Sequence, residues 1–407
     1  MAGSERRELA IVLAALAAGA LGQTMLLVGV NVLVLQRTHS APAVAALWIV
    51  PQVALLATGS LAGRYTDRWD KRRTLAFTNI IAGAAVLLLV AAGGRVIIYG
   101  VFAFVAVLGG MFLAAFNPYF RELVPPSRRA RANAVKGGFQ YGSLVLGPAL
   151  AGVLLIHGRP DTVIACVAVA LLLSGALLHF APSLSVAEAA GGAAESPSPT
   201  YLGDLKMVAA FLKARPVTAG VMASSGLLLV FGAAADAQEV VFVHRALHLG
   251  ASDYGLLVST AGVGYLAGAG VSFLAASRTP LRWLLGVGEV LAALGYLFYA
   301  LSHGFFLAAA GLTELGMAQA VASTGYGTFI QGALPVSQMG RITATMRSVF
   351  AGLTILVTLS GGYIVQAVGV RPWMVGATAA MVLAGLGMAA VCMLPAGVAE
   401  FRRAAAT

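Results

Sequence analysis

Residues 59–77 read GSLAGRYTDRWDKRRTLAF, with seven charged side chains in the ten positions from Arg64 to Arg73. On either side the chain is almost wholly Ala, Leu, Val and Gly. Basic residues that close an apolar run hold a loop on the inner side of a membrane, and Arg73 and its neighbours fit that topogenic role. The role does not account for the acids. Asp67 stands one helical turn after Gly63, which stands one turn after Gly59, so two small residues and a carboxylate share a face of the helix that enters the loop. Small residues four apart let a second helix approach closely, and a carboxylate ending such a face lies where that neighbour begins.

The surroundings of the loop set the class of the molecule. Of 407 residues, 59% are apolar and 10% charged, and the mean hydropathy is +0.89. A soluble domain carries about 25% charged residues. Spanning about 30 Å of hydrocarbon takes about 20 mostly apolar residues per helix. Such runs recur near residues 10–36, 42–63, 74–94, 97–119, 133–156, 161–182, 216–242, 253–276, 283–302, 305–332, 342–368 and 372–396. An all-α membrane protein with twelve transmembrane helices is predicted. The first run follows SERRE, is too long for a signal peptide and lacks a small-residue cleavage site, so it reads as a retained span.

With the N-terminus inside, all but five of the 26 Lys and Arg residues fall on inner segments, the outer five being Arg37, Arg95, Arg159, Arg245 and Arg371. This bias places both termini in the cytoplasm of a multi-pass protein of a bacterial-type inner (plasma) membrane. The net charge of +11 is scattered in these short clusters, which argues against a nucleic-acid partner. Cys166 and Cys392 both fall inside apolar runs and read as packing residues, not as a disulfide or a metal site.

The longest polar interval, SLSVAEAAGGAAESPSPTYLGDLKMVAAFLKARP, separates six spans from six. Its first half has the composition of a flexible linker. Its second half reads as an amphipathic helix on the inner surface, with Lys206, Lys213 and Arg215 near lipid phosphates. The domains are accordingly 1–183, a cytoplasmic linker at 184–215, and 216–407. A shift of 210 residues superposes Pro125 on Pro335, Arg131 on Arg341 and Gly152 on Gly362, so the halves read as pseudo-symmetric six-helix bundles in parallel orientation.

The opening loop also resembles a known signature. GRYTDRWDKRRTL is similar to the loop motif of the major facilitator superfamily, G-x-L-A-D-R-x-G-R-R-x-x-L, with Gly63, Asp67, Arg68, Lys71, Arg72 and Leu75 in matching places. Tyr65, Thr66 and Asp70 depart from it, and the second acid at Asp70 resembles the macrolide and siderophore exporter branch. The resemblance implies a gating motif. Asp67 meets the positive end of the eleventh helix, near Arg341, while the inner gate is closed, and Glu122 is the available partner for Arg68 or Arg72. SLVLGPALAG in the fifth span resembles the antiporter signature of the family, with Gly147, Pro148 and Gly152 matching, and a Pro there bends the helix. Residues 114–140, AAFNPYFRELVPPSRRARANAVKGGFQ, resemble both the exporter branch and the bacterial lysophospholipid transporters. In that stretch Asn133 and Lys136 read as loop and helix-start packing.

Acids inside the spans are confined to the second half: Asp236 and Glu239 in the seventh, Glu289 in the ninth and Glu314 in the tenth. A charge inside the membrane costs about 2.5–3.5 kcal/mol on insertion scales, so four of them call for a reason. A carboxyl group in hydrocarbon is cheaper neutral than charged, which suits it to carry a proton. Glu314 falls about mid-bilayer and has the strongest claim to coupling. Asp236 and Glu239 read equally as residues of a wet outer vestibule, and Glu289 as a structural partner of a Ser, Thr or Tyr. Neutral polar residues of the first half, namely Gln23, Asn31, Gln52, Asn117 and Gln140, are candidates to line a substrate cavity or to bond helix to helix.

No phosphate loop, no H-E-x-x-H and no activated nucleophile occurs, so no catalytic residues, cofactor or metal are expected and the chain does not read as an enzyme. The function expected is a proton-coupled exporter of amphipathic small molecules, of drug, macrolide or siderophore type, working by alternating access as a monomer among membrane lipids. The alternatives are a lysophospholipid transporter of the same superfamily and, more remotely, a non-transporting receptor or scaffold.

Overall fold

The computed structural model describes residues 3–91, 94–125, 128–157, 159–183, 201–275 and 279–406, and the side chains of residues 55–68 lie outside that description. The described elements are helices. In chain order these are α1 (Gly3–Thr38), α2 (Ala41–Arg68), α3 (Lys71–Ala91), α4 (Arg95–Leu123), α5 (Arg129–Leu154) and α6 (Pro160–His179), then α7 (Tyr201–Ala214), α8 (Pro216–Asp236) and α9 (Glu239–Arg245). They continue with α10 (Ala251–Ala275), α11 (Leu281–Leu301), α12 (Phe305–Ala333), α13 (Val336–Val368), α14 (Val370–Met393) and α15 (Pro395–Ala406). Ten of them are long and apolar enough to cross a membrane. With α2 and α5, of 28 and 26 residues, they make the twelve expected spans. The helices are what hydrocarbon permits, because every backbone N–H and C=O must find its partner inside its own segment.

Two compact units result: Met1–Ala190 with Gly250–Ser259, and Gly191–Leu249 with Thr260–Thr407. In the first, α1 packs on α5 and α6, α3 packs on α4 and α6, and α2 packs on α4. A buried polar relay ties three of these helices: Asn79 of α3 donates to Ser174 Oγ of α6 at 2.8 Å, and that hydroxyl donates to the Ala15 carbonyl of α1 at 2.7 Å. In the second unit, α8 packs on α13 and α14, and α11 packs on α12 and α14. These are the same partners, counted along each half, that the first unit uses. The repeat seen in Pro125 and Pro335 is thus a repeat of packing.

The match extends to α10 and α12, the counterparts of α2 and α4. Their backbones touch: a Cβ on Gly264 would fall on the Thr313 carbonyl, one on Gly268 on the Met317 carbonyl, and one on Gly316 on the Ala261 carbonyl.

Helix limits differ from the apolar runs in informative places. The seventh span is two helices, α8 and α9, interrupted at Ala237 and Gln238. α13 begins at Val336, behind Pro335, so Arg341 stands in its second turn and not at its start. α2 continues to Arg68, which puts Asp67 in its last turn. Hydropathy marks only the part of a helix that lies in hydrocarbon, whereas hydrogen bonding continues past it.

Two short helices complete the second unit. The apolar face of α7 contributes Val208 to the core, with Phe211 and Leu212 packed against it. Arg215, expected near lipid phosphates, instead donates to the Ala333 carbonyl at the end of α12 at 2.6 Å. α15, which the span pattern did not reveal, stacks Phe401 on Phe329 at 4.3 Å, and its Glu400 accepts from Thr218 at 2.5 Å.

Gly264→Val should lower the stability of the detergent-solubilised protein by about 1–3 kcal/mol, the usual range for overpacking. The matching change at Gly270, where a Cβ would meet nothing within 4 Å, should leave the thermal midpoint unchanged.

Candidate functional site

The charged loop resolves into separate local tasks. Asp70 caps α3: its Oδ1 accepts the Arg73 N–H at 2.8 Å, and its carbonyl accepts the Thr74 N–H at 2.9 Å. Gly, which the common signature carries at that position, is also an accepted N-cap residue, so the exchange of Gly for Asp has a purely local explanation. Arg72 donates to the carbonyls of His179 and Ala181 at 3.2 and 3.4 Å, meeting the orphan acceptors at the end of α6. It makes no ion pair with Glu122, which is exposed. Lys71 is half-buried in the first turn of α3. The side chains of Asp67 and Arg68 fall outside the described residues, and Gly63 lies one turn before Asp67 in α2. Arg341 has a carboxylate partner that the sequence did not suggest, since its guanidinium binds Asp204 of α7, with Nε at 3.1 Å.

The acids inside the spans of the second unit fall into three places. Asp236 and Glu239 flank the break between α8 and α9, and each faces a tyrosine of α11. Tyr296 donates to Asp236 Oδ1 at 2.5 Å, and Tyr299 lies beside Glu239, with its ring against Phe242 of α9 at 5.1 Å between centroids. Glu239 is 8% exposed, so it is a buried group and not part of a wet vestibule. At the break, Trp373 Nε1 of α14 donates to the Ala234 carbonyl at 3.4 Å, and Arg371 of the same helix donates to the Ser302 carbonyl at the end of α11 and the Ala246 carbonyl at the end of α9, at 2.7 and 3.2 Å, while lying over the Phe242 ring. Carbonyls freed by the end of one helix are thereby satisfied from another.

Glu289 lines a separate cavity of about 350 Å³ within the second unit. Its walls come from α8 (Met222, Ser225, Leu229), α12 (Gln319, Ser323, Tyr326) and α13 (Thr343, Arg347, Phe350). The cavity exists partly because residue 226 is Gly, as a Cβ there would strike the Phe350 ring. Glu289 and Arg347 line the same space without forming an ion pair. The buried Ser225 hydroxyl has no hydrogen-bond partner among the described residues. Glu314 is half-buried on α12 and belongs to neither cluster; its backbone packs against Gly295.

Tyr296, Tyr299 and Tyr326 escape notice in the sequence because single polar aromatics in an apolar run are unremarkable, and Arg347 because it follows Arg341 among the residues that mark the inner end of a span. The signal was the spacing on α11. Glu289 and Tyr296 are seven residues apart, two turns on one face, or about 10 Å along the axis.

The neutral residues of the first half are dispersed. Asn31 is 2% exposed and donates to the Leu27 carbonyl of its own helix at 2.7 Å, so it packs inside its unit. Gln23, Gln52 and Gln140 are exposed. Asn117 lines a second, basic pocket between α4 and α5. In the helix-bend stretch, Gly147 lets α5 close on α1, where a Cβ would collide with Thr24, whose hydroxyl donates to the Ser143 carbonyl at 2.9 Å. Pro148 lies inside α5, and Gly152 packs against Ser252 and Gly255 in the first turns of α10.

Comparison with known proteins bears on this arrangement. The sequence model of the Major Facilitator Superfamily matches residues 12–243. The chain belongs to that superfamily. It is 21% identical to the uncharacterized MFS-type transporter YfiS of Bacillus subtilis (strain 168), covering 98% of this chain and 95% of YfiS. A single-residue mutant of the nucleoside transporter NupG superposes with a TM-score of 0.77 at 12% identity, covering 94% of this chain and 99% of that one. A bacterial homolog of the human lysosomal transporter Spinster, inward-facing and unoccupied, gives a TM-score of 0.66 at 14% identity over 99% and 98%. At these identities the likeness is one of fold. The chain is a multi-pass major facilitator transporter and not an enzyme.

For this major facilitator, Asp70→Ala should destabilise by about 1 kcal/mol through loss of the cap, whereas Asp70→Asn should cost a few tenths at most. Thermal unfolding in detergent, followed by tryptophan fluorescence, distinguishes the two.

Proposed function

We propose that this chain is a proton-coupled exporter of amphipathic small molecules, of the drug, macrolide or siderophore kind, in a bacterial inner membrane with both termini cytoplasmic. Two bundles, residues 1–183 and 216–407, expose a solute site alternately to the two faces. The observation that carries the reading is the cavity of about 350 Å³ in which Glu289 stands among apolar walls, with Gln319, Ser323 and Tyr326 as polar contacts. Pockets of this size and lining take small molecules that are mostly apolar with a few polar groups. A carboxyl group there holds a proton or a donor group of the solute but not both at once, and this exclusion is what exchange transport requires.

The hydrogen bond of Tyr296 to Asp236, with Glu239 beside it across the break, supports a proton relay, because it sets two carboxyls against α11, the helix that carries Glu289 two turns away. Glu314 is taken as a further coupling residue on α12. The gate on the inner side is assigned to the loop motif, with Asp67 as the latch and Gly63, Arg68, Lys71 and Arg72 as its frame. Gln23, Gln52, Asn117 and Gln140 are taken as the first bundle's contribution to the solute path. The exporter branch rests more on the fifth-helix motif than on Asp70, given the capping role of that side chain.

In proteoliposomes loaded with a fluorescent cationic or neutral amphipath, an imposed pH gradient should drive flux in wild type. Glu289→Gln should abolish gradient-driven flux, and Glu314→Gln should keep solute exchange while uncoupling it from the gradient. Wild-type gradient-driven rates in both variants would remove these carboxyls from the scheme. Flux that ignores the gradient and is competed by lysophospholipid would replace the exporter with a lipid carrier.

A further inference from the structure

The pocket between α4 and α5 touches that scheme only through Asn117. It measures about 290 Å³ and is lined by Asn117, Phe120 and Arg121 from the last turns of α4 and by Arg129, Asn133 and Lys136 from α5. The α5 residues are spaced four and three apart, which sets them on one face, and Asn117 and Arg121 are likewise one turn apart. Three cations and two amides therefore converge, with no acid among the lining residues.

None of the three cations is neutralised by a carboxylate among the described residues, whose ion pairs involve other side chains. Lys136 has only the Asn117 Oδ1 at 3.5 Å and lies over the rings of Phe120 and Phe116, at 5.3 and 5.8 Å. Those contacts fix the ammonium while leaving donors for a ligand. Arg129 is held by two carbonyls, Val124 through Nε and Arg121 through Nη2, each at 3.2 Å. The first turn of α5 adds the partial positive charge of a helix start. The site is thus preorganised and short of negative charge. Charge-assisted bonds to Lys and Arg favour an anion with several acceptor oxygens.

The apolar flanks indicate where that anion comes from. One turn back along α4, Leu113 is exposed, and one turn on along α5, Phe139 is exposed. The basic end of each helix runs directly into exposed apolar surface, at the end of the spans that the positive-inside pattern gives to the cytoplasm. We propose that this pocket binds the phosphate headgroup of an anionic membrane phospholipid, with its acyl chains along Leu113 and Phe139. Basic pockets between transmembrane helices on that side suit such headgroups. Asn133 and Lys136, which the sequence assigned to loop packing, thereby become ligand contacts.

Native mass spectrometry of the full chain in detergent, with added phosphatidylglycerol or phosphatidylcholine, tests it. Wild type should retain phosphatidylglycerol preferentially. Lys136→Gln and Arg121→Gln should each weaken retention roughly fivefold and add when combined, as expected for one basic contact apiece. Lys136→Arg should restore retention, and Arg402→Gln on the exposed face of α15 should leave it unchanged. Equal retention of the two lipids, or retention unaffected in the double variant while its melting temperature stays at the wild-type value, overturns the proposal. Thermal stabilisation by inorganic phosphate, with no lipid retained, upholds an anion site and overturns the lipid as its source.

Discussion

The structure depends first on the requirement that no backbone hydrogen bond be left open in hydrocarbon. It makes every span a helix, and it makes each interruption of a span a place where other groups must intervene. The break between α8 and α9 meets the requirement with Trp373, and the ends of α9 and α11 meet it with Arg371, both from α14. The end of α6 meets it with Arg72, and the end of α12 with Arg215. Cations that resemble topology markers in the sequence are thus also caps on helix ends, and the rule for orientation and the rule for satisfying carbonyls select the same residues.

The same requirement explains where chemistry can reside. A helix with all its backbone bonds closed offers only side chains, so reactive groups have to be brought together by packing. In the second unit α11 does this, presenting Glu289 to a cavity and Tyr296 and Tyr299 to the two carboxyls at the break. Close packing of α11 with α12 and α14 fixes that helix and with it the relative positions of the groups. Small residues make the closeness available, as at Gly295 and Gly311, where a Cβ on either would press on the other helix's backbone.

Much of the fold was legible because its signal is coarse. Apolar runs of about 20 residues predict spans whatever their packing, and eleven of the twelve predicted ones are single helices here. The seventh was not legible as two helices, since residues 227–242 are apolar apart from the two acids and Gln238, and no Pro or Gly marks the break. α15 was missed because its apolar positions are few and small, and it is the stack of Phe401 on Phe329 that seats it. Of the site, the acids were visible as charges out of place. Their partners were not, because a tyrosine or an arginine is informative only once its neighbour across the bundle is known. Asp70 shows the converse: a residue prominent in a motif is accounted for by the first turn of its own helix.

The two cysteines carry a consequence for measuring motion in this transporter. Cys392 is fully buried, packed beside Gly286, and Cys166 is half-buried in α6. A thiol without solvent contact does not react with maleimide or methanethiosulfonate reagents at a useful rate. Replacing Cys166 by Ala or Ser would therefore leave a natural background that is silent to labelling. Single reporter cysteines, at exposed sites such as Gln52 or Gln140, would then record accessibility to either side of the bilayer without rebuilding the core around residue 392.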